Sequence, residues 1–541
     1  MRGPRGPRFP PSFSERNAWR AAIILCVVLA LWPIWSRRFP PMQDYPQHLF
    51  CAHVLANSGN TEYDYDRFYA VQAPRGPYSA FFRLAGLFSG AVPLETAGKL
   101  VLSLYVLLVA LMVARASRRS WAPEAPWGLL LAFAFVFNQE YYLGFVNWLL
   151  SLPLIGLVLL EQESLAENPG DRRATLLQVL WLAALFFTHP LSLLLASAFA
   201  IVAGLASPPG RAHPVRLLAV PVAAGLFLVL WISMGPLPEG VVQAEAVQRV
   251  AWLGVARNVA YLVAPFAGMR LTNGPEPTVL ALWIVLLLAL AAGRFAKPGA
   301  RQGEGPKGPG SHQVPLLLAA LCLAGVLLLP FRFDHLFTYV NRRLAVVAYF
   351  LLAMLAGRLR FRRWSGAIAG LLVVCLIVLS ALKQNRISRE TEEVLPLLQA
   401  MPRNASLLPL VFDNDSPELD PRIFDPHIHD TDYYHVLVGG GFSPYVFDSP
   451  LSPVRLRAGT TRVAPSAYSP GSFRWEEHAW RYDFFLLRGA PAAFEASLAA
   501  NAEPAVRSGK WLLMRRLQNP GYTDPTAAAS GAPRPAGSKD T

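Results

Sequence analysis

The feature that most limits how this chain can fold is the gathering of its apolar residues into long runs, such as 145–161 and 365–382. A helix needs about 20 mainly apolar residues to cross the hydrocarbon core of a bilayer, and these runs approach that length. Hydrophobic residues make up 53% of the chain and charged residues only 16%, whereas soluble domains carry about 25% charge. The sequence therefore predicts a polytopic membrane protein and argues against an ordinary soluble fold.

The apolar runs predict an α-helical polytopic membrane protein with about eleven transmembrane helices. Their approximate bounds are 19–36, 97–115, 125–138, 145–161, 174–188, 190–206, 215–233, 278–293, 314–330, 343–357 and 365–382. The third and fifth are short, which is typical of tilted, broken or partly re-entrant segments. We interpret the first as an uncleaved span, because no small-residue cleavage site follows it.

Lys and Arg residues predict the orientation, since they accumulate in the loops on the cytoplasmic side. They place residues 1–18 in the cytoplasm as an N-terminal tail and residues 37–96 outside as the first outer loop. Within that loop the apolar stretch Tyr78–Val92 is typical of a helix lying on or dipping into the membrane. The net charge of +14 arises mostly from residues that flank spans, so it does not indicate a nucleic-acid partner.

The C-terminal part of the chain has a different composition from the rest. Residues 383–518 are more polar and contain short strand-like runs at Leu407–Phe412, Asp483–Leu487 and Trp511–Met514. With eleven spans after a cytoplasmic start, they form a small α/β or mostly β extracytoplasmic domain. Residues 519–541 are rich in Pro, Ala, Gly and Ser, which is typical of a disordered tail.

Asp44 is the strongest candidate for chemistry, because it lies in the first outer loop just past the first span. Acids at the membrane boundary indicate functional sites, and Asp44 is a candidate catalytic base or metal ligand. The alternatives are a solvated loop acid or a helix cap. Glu140, at the outer end of the third span, is the second candidate catalytic acid. Its alternative is an ordinary helix-end carboxylate.

Basic side chains on the same outer face are candidates for substrate binding. Arg342 and Arg343 lie on the outer side, against the positive-inside trend, and guanidinium groups pair with phosphate through two hydrogen bonds. The alternative is snorkelling to lipid headgroups. His48, His189 and His335 also fall on this face, where they could bind a metal or a sugar, or serve as structural residues.

The C-terminal segment 425–432 is rich in His and Asp. In an extended strand, His427 and His429 would lie on one face. The segment is then a candidate metal- or acceptor-binding loop, and its alternative is a solvated polar loop. The cofactor is left undetermined, with a divalent metal as one option.

Together these features resemble the polyprenyl-phosphate-dependent glycosyltransferases of the GT-C superfamily. The segment from Asp44 to His48 also resembles one found in uncharacterised bacterial membrane proteins of this type. The resemblance covers most of residues 19–515: a cytoplasmic start, an acid in the first outer loop, about eleven spans and an outer C-terminal domain. The family often has a pair of acids such as DxD or ED, where this chain has Asp44 alone. That departure leaves metal dependence open.

The resemblance implies transfer of a sugar from a lipid-linked polyprenyl-phosphate donor to an extracytoplasmic acceptor, in the membrane of a bacterial cell envelope. Asp44 would accept the proton of the attacking hydroxyl. Arg342, Arg343 or a metal would stabilise the departing phosphate, and Glu140 would orient the acceptor or share a metal with Asp44. The partners are membrane lipids, the donor and the acceptor, with no nucleic acid.

Two other classes of protein compete with an enzyme. Transporters and flippases tend to have internal repeats and polar residues at mid-bilayer, whereas here the acids and arginines gather at the outer face. The other is a non-catalytic scaffold whose outer domain binds an envelope partner.

Overall fold

A computed structural model describes most of the chain. It covers residues 13–72, 76–119, 127–207, 213–234, 250–252, 254–263, 294–295, 313–333, 337–357, 359–360, 363–419, 424–447, 452–457, 460 and 464–517. The predicted span 278–293, the tail 519–541 and the candidate residue His335 lie outside these residues.

The described part is mostly helical. Its N-terminal half contains α1 (Phe13–Trp35), α2 (Tyr45–Ala56), α3 (Ala80–Ser89), α4 (Leu94–Arg119), α5 (Leu131–Ala134), α6 (Gln139–Tyr142), α7 (Val146–Glu167), α8 (Arg172–Thr188) and α9 (Pro190–Ala206). Its C-terminal half contains α10 (Pro214–Met234), α11 (Val255–Val263), α12 (Gln313–Leu328), α13 (Val340–Ala356), α14 (Arg363–Glu392), α15 (Leu395–Gln399), α16 (Tyr433–Leu437), α17 (Trp475–His478) and α18 (Ala492–Leu498). Helix α3 lies within the stretch predicted to be an interfacial helix.

Five helices in the described residues are long and apolar enough to cross a membrane. They are Asn17–Trp35, Leu94–Arg118, Val146–Glu167, Pro214–Trp231 and Gly366–Gln399. Their length and composition confirm the prediction of an integral, multi-span helical membrane protein, while the count of eleven spans stays a prediction. The predicted span 125–138 is broken in its described part, where a 3₁₀ turn at Trp127–Leu130 and α5 replace one continuous helix.

Helix α7 lies at the centre of the helical part and ends beside the candidate site. It packs against α4, α8 and α9, and its side chains are buried on nearly all sides. A helix that is apolar all round belongs in the middle of a bundle rather than at its surface. The N-terminal end of α7 carries Trp148 and follows the turn that contains Glu140.

Helix α14 connects the membrane part to the C-terminal region. Its 30 residues extend about 45 Å at the rise of an α-helix, which exceeds the roughly 30 Å hydrocarbon core. The helix therefore continues past the predicted span end at residue 382 and carries Gln384 and Glu390 into the C-terminal region.

The C-terminal region contains a four-stranded mixed sheet in the order β10-β11-β9-β7. Its strands are β7 (Leu407–Val411), β9 (Phe484–Arg488), β10 (Ala502–Ser508) and β11 (Trp511–Arg516). Strands β7 and β9 are parallel and buried along their whole length, which is why they read as continuous apolar runs. The three strand-like runs predicted from the sequence match β7, β9 and β11.

Short strand pairs complete the described structure. Strand β1 (Tyr69–Val71) pairs with β8 (Val454–Leu456), and β3 (Arg294–Phe295) pairs with β6 (Leu359–Arg360). Strand β4 (Arg332–Phe333) pairs with both β2 (Val250–Ala251) and β5 (Phe337–Thr338) in a three-stranded sheet. The antiparallel pair β1–β8 matters for the site, because it joins the first outer loop to the C-terminal region. The buried Tyr69 hydroxyl strengthens this junction by accepting a hydrogen bond from the Ser443 backbone N–H at 2.9 Å.

Candidate functional site

Asp44 lies between α1 and α2, at the N-cap position of α2. The backbone N–H groups of Gln43 and Asp44 donate to the carbonyls of Tyr142 and Leu143 at 2.8 and 3.1 Å. The Asp44 side chain makes no capping hydrogen bond to α2, and the residue is 8% exposed. Asp44 therefore occupies a cap position without a side-chain cap, and its burial excludes the alternative of a solvated loop acid.

Gly144 explains how the Asp44 loop approaches the turn after α6. Its φ of +82° lies in the left-handed region, and a Cβ atom there would lie 2.7 Å from the backbone nitrogens of Asp44 and Tyr45. Glycine alone satisfies both conditions without strain. This contact brings the chain around Glu140 next to the chain around Asp44.

A cavity of about 230 Å³ opens beside Asp44. It is lined by Gln43, Asp44, Gln47, Leu143, Phe145, Tyr339, His429, Tyr445, Val446, Phe447 and Tyr468. The lining comes from the first outer loop, the α6–α7 turn, the start of α13 and the C-terminal region. Aromatic walls with a few polar groups are typical of small-molecule sites.

The surroundings of Asp44 favour its protonated form. Burial raises the pKa of Asp44 to about 7, even though a hydrogen bond with Gln43 and the charges of Arg342 and Arg343 lower it. The nearby Asp425 raises it further. A carboxylate whose pKa lies near neutrality is suited to accept and release a proton.

Glu140 is the partner of the two arginines. Its backbone N–H donates to the Asn138 side chain at 2.8 Å, which caps α6. Its carboxylate oxygens lie 3.5 Å from Nε of Arg342 and 3.9 Å from Nε of Arg343. The carboxylate is fully buried, so it is not an ordinary helix-end acid.

Both arginines are buried rather than extended towards lipid headgroups. Arg343 donates from Nη1 to Nε2 of His189 at 2.7 Å, and its guanidinium lies over the ring of Trp148 at 5.2 Å. The guanidinium of Arg342 lies 4.3 Å from the ring centre of Tyr339. Since a guanidinium only donates hydrogen bonds, His189 accepts at Nε2 and is neutral. The snorkelling alternative does not fit these positions.

His48 is fully buried among aromatic rings, including those of Tyr78, Phe81 and Phe447. Burial lowers its pKa to about 3, so the ring is neutral at pH 7. The side chain packs against Phe447, which lines the cavity. Its predicted contact with substrate stays a prediction.

The segment 425–432 forms turns and a short 3₁₀ helix, so the prediction of an extended strand with His427 and His429 on one face is wrong. His427 faces α14: its Nδ1 lies 2.7 Å from Asp430 and its Nε2 lies 3.2 Å from Glu390. His429 faces the cavity, with its Nε2 3.8 Å from Oδ1 of Asp44. Among the described residues, no group of three or more His, Cys, Asp or Glu side chains is arranged to hold a metal ion.

Sequence reasoning missed the residues that join the first outer loop to the C-terminal region. Gln43 accepts a hydrogen bond from the Asp425 N–H at 3.0 Å, and Gln47 donates to the carbonyl of Tyr445 at 2.9 Å. Two amides on either side of Asp44, at i−1 and i+3, were an available signal. Tyr339, which has a left-handed φ of 61°, offered no comparable signal.

Comparison with known proteins gives a fold but no family assignment. No protein-family model matches the sequence, and no curated protein does either. Among solved structures, ArnT from Cupriavidus metallidurans bound to undecaprenyl phosphate has a TM-score of 0.56 at 12% identity, covering 94% of this chain and 100% of that chain. The apo structure of the same ArnT has a TM-score of 0.53 at 12% identity, covering 93% and 98%. The resemblance stated from the sequence is thereby confirmed at the level of the fold.

Proposed function

We propose that this chain is an integral membrane glycosyltransferase that moves a sugar from a polyprenyl-phosphate donor to an extracytoplasmic acceptor, with Asp44 as the base. The observation that carries the proposal is the buried Asp44 carboxylate, with a pKa near 7, at the edge of an aromatic-walled cavity. The likeness in fold to ArnT, which has been solved with undecaprenyl phosphate bound, supports the donor class.

The reaction would be one displacement at the anomeric carbon. Asp44 accepts the proton of the acceptor hydroxyl as its oxygen attacks, and the bond between the sugar and the phosphate breaks with its electron pair leaving on the phosphate. The cavity is smaller than the roughly 300–1,000 Å³ of drug-sized pockets. Its size suits the reacting sugar ring rather than a whole lipid-linked donor.

The buried arginines supply the anion site of this proposal. Two guanidiniums, those of Arg342 and Arg343, lie together beside the carboxylate of Glu140. A departing phosphate would accept paired hydrogen bonds from them. Glu140 then positions the arginines, which differs from the sequence-based role of orienting the acceptor or sharing a metal with Asp44.

The topology belongs to the same proposal. The N-terminal tail 1–18 lies in the cytoplasm, 19–382 is the transmembrane domain and 383–518 is extracytoplasmic. The membrane is the inner membrane of a bacterium, where a lipid-linked donor lies among the helices and the acceptor arrives from water.

The test is release of polyprenyl phosphate from a panel of polyprenyl-phosphate sugars by purified full-length protein. We expect turnover by the wild type and a loss of about 10²–10⁴-fold in Asp44→Asn, the usual contribution of a general base. The matched control is Asp64→Asn in the same outer loop. Asp64 is exposed and has a φ of 50°, a conformation that Asn adopts readily, so its activity should match the wild type.

Other outcomes assign the protein differently. Equal turnover by wild type and Asp44→Asn would move the base elsewhere, to Glu140 first. Absence of turnover by folded wild type with a broad donor panel would favour the transporter, flippase or scaffold.

A further inference from the structure

His429 lies between two carboxyl groups that come from different parts of the chain. Its Nε2 is 3.8 Å from Oδ1 of Asp44, and its Nδ1 is 3.9 Å from Oδ2 of Asp432. Asp432 is 2% exposed, and its Oδ1 accepts from the Ser443 hydroxyl at 3.4 Å. The order Asp44–His429–Asp432 is that of a base, an imidazole and a buried acid that orients the imidazole.

The protonation state of Asp432 decides which ring nitrogen of His429 carries the proton. Burial raises the pKa of Asp432 well above its usual value, although hydrogen bonds with Ser443 and Gln47 lower it. An Asp432 that keeps its proton can donate to Nδ1 of His429. The ring then carries its own proton on Nε2, the nitrogen that faces Asp44.

We propose that His429 is a positioning residue that donates a hydrogen bond from Nε2 to the Asp44 carboxylate, with Asp432 fixing the tautomer. This inference rests on the proposed function of Asp44. The two contacts are 3.8 and 3.9 Å long, and side-chain rotations that shorten each by about 1 Å would bring them into the 2.7–3.2 Å range typical of hydrogen bonds.

The hydrogen bond from His429 affects Asp44 in two ways. A donor to the ionised form favours that form, so the contact with His429 increases the fraction of Asp44 that is ionised and able to act as a base at neutral pH. With one oxygen held by Nε2–H, the other is left to take the proton of the acceptor hydroxyl. That proton returns to water through the cavity after the sugar–phosphate bond has broken.

The loop that carries His429 is held firmly enough for this role. His427, two residues before it, bridges Asp430 and Glu390 on α14, and the Asp432 N–H donates to the carbonyl of His429 at 2.9 Å. Burial opposes charge on His427, but hydrogen bonds to the two acids raise its pKa above the usual value. His427 therefore anchors the loop to α14, whereas His429 faces Asp44.

The pH dependence involves other groups near this pair. Besides Asp432, the charged or titratable groups that face Asp44 or His429 from neighbouring elements are Arg342, Arg343, Asp425, Tyr78, Tyr339, Tyr445, Tyr468 and His48. All of them are unchanged in the variants below, so a shift between variants reports on the His429 contact.

The experiment compares His429→Asn with His429→Gln by the pH profile of kcat/KM for donor turnover. Asn places its amide near the Nδ1 position and keeps the side facing Asp432, whereas Gln reaches the Nε2 position and can donate to Asp44. We expect His429→Asn to move the acidic limb upward by about one to two pH units, the value of a hydrogen bond to a charged group, with KM little changed. His429→Gln should restore most of the wild-type profile.

The sign of the shift separates this role from a structural one. A smaller side chain that merely admits water to Asp44 would solvate the carboxylate and move the limb downward. A downward shift, an unchanged profile, or equal shifts in the Asn and Gln variants would overturn the proposal. His478→Asn, at a half-buried histidine outside the site, is the matched control and should leave the profile unchanged.

Asp432 provides the second comparison. Asp432→Asn keeps an N–H donor for Nδ1 and should behave nearly as wild type, while Asp432→Leu removes the donor and should move the limb upward as His429→Asn does. Equal profiles for the Asn and Leu variants would overturn the assigned tautomer.

An infrared pH titration of the protonated carboxyl band gives a readout that needs no turnover. The difference between wild type and Asp44→Asn isolates the Asp44 band. Its midpoint should rise in His429→Asn and not in His429→Gln. Such a rise without any turnover would support the His429–Asp44 coupling and reject the glycosyltransferase. Turnover without the rise would support the glycosyltransferase and reject the coupling.

Discussion

On one side of the candidate site the buried groups are carboxyls and an imidazole, and on the other they are guanidiniums paired with a carboxylate. The acid side consists of Asp44, His429 and Asp432. The arginine side consists of Glu140, Arg342, Arg343 and His189. Burial pushes the carboxyls of the acid side towards their neutral forms, whereas on the arginine side opposite charges neutralise one another in part.

The difference teaches what each side can do. A carboxyl whose two protonation states are close in free energy can exchange a proton, at the expense of stability when it ionises. A cluster that contains two arginines can hold an anion but gives up no proton, since arginine stays charged. Replacing a carboxylate on the acid side should therefore stabilise the protein, and replacing the carboxylate on the arginine side should destabilise it.

The largest expected effect on stability is that of Glu140→Gln. It leaves two buried guanidiniums without their carboxylate, and removal of one partner of a buried ion pair costs about 3–5 kcal/mol. The free energy of unfolding in mixed micelles measures it. Glu62→Gln, at an exposed ion pair with Arg403, is the control and should cost about 1 kcal/mol or less. A cost equally small at Glu140 would break the contrast between the two sides.

Asp44→Asn should have the opposite sign and a dependence on pH. Because the folded pKa of Asp44 is about 7 against an ordinary 3.8, the folded state binds more protons between these values, and stability falls as pH rises from about 4 to about 7. The Asn variant lacks this loss and should exceed the wild type by up to about 4 kcal/mol above pH 7. Unfolding measured at pH 4 and pH 8 checks the prediction, and a difference that does not grow with pH contradicts it.

Arg343→Lys should affect donor binding more than chemistry. Lysine keeps the charge but loses the planar contact with Trp148 and the fixed direction of the bond to His189. We expect KM for the lipid-linked donor to rise about tenfold, with kcat within about twofold. Arg474→Lys at an exposed position is the control. A fall in kcat at constant KM would show instead that Arg343 acts on the departing phosphate and does not hold the donor before the reaction.

The smallest expected effect is that of Gln47→Ala, which removes the hydrogen bond to the Tyr445 carbonyl. One such bond contributes about 1 kcal/mol to stability. Gln399→Ala, also in a helix but exposed, corrects for the change in helix propensity. Equal stabilities of these two variants would show that this bond does not help to hold the C-terminal region on the first outer loop.

The sequence predicted what depends on composition and local pattern. Apolar runs predicted the helical membrane class and the runs at β7, β9 and β11 predicted the C-terminal sheet, whereas the roles of Asp44 and the two arginines stay predictions. These signals are local, because span length and strand propensity are read within a few residues.

What the sequence could not predict depends on contacts between distant segments. His429 was assigned to the same face as His427 because a strand was assumed, whereas turns direct the two rings to different partners. The pairing of Glu140 with Arg342 and Arg343 needs α6 and α13 to meet, and no local spacing encodes that meeting. The broken span 125–138 was too short for periodicity to distinguish one helix from two turns.

The β1–β8 pair has a consequence for how the protein is made. The first outer loop is synthesised early, whereas the strand that pairs with it and the loop that carries His429 emerge only after the last long apolar helix. Until then the cavity beside Asp44 lacks the walls that His429, Phe447 and Tyr468 supply. A nascent or truncated chain therefore has an incomplete site until the two ends of the polypeptide have met.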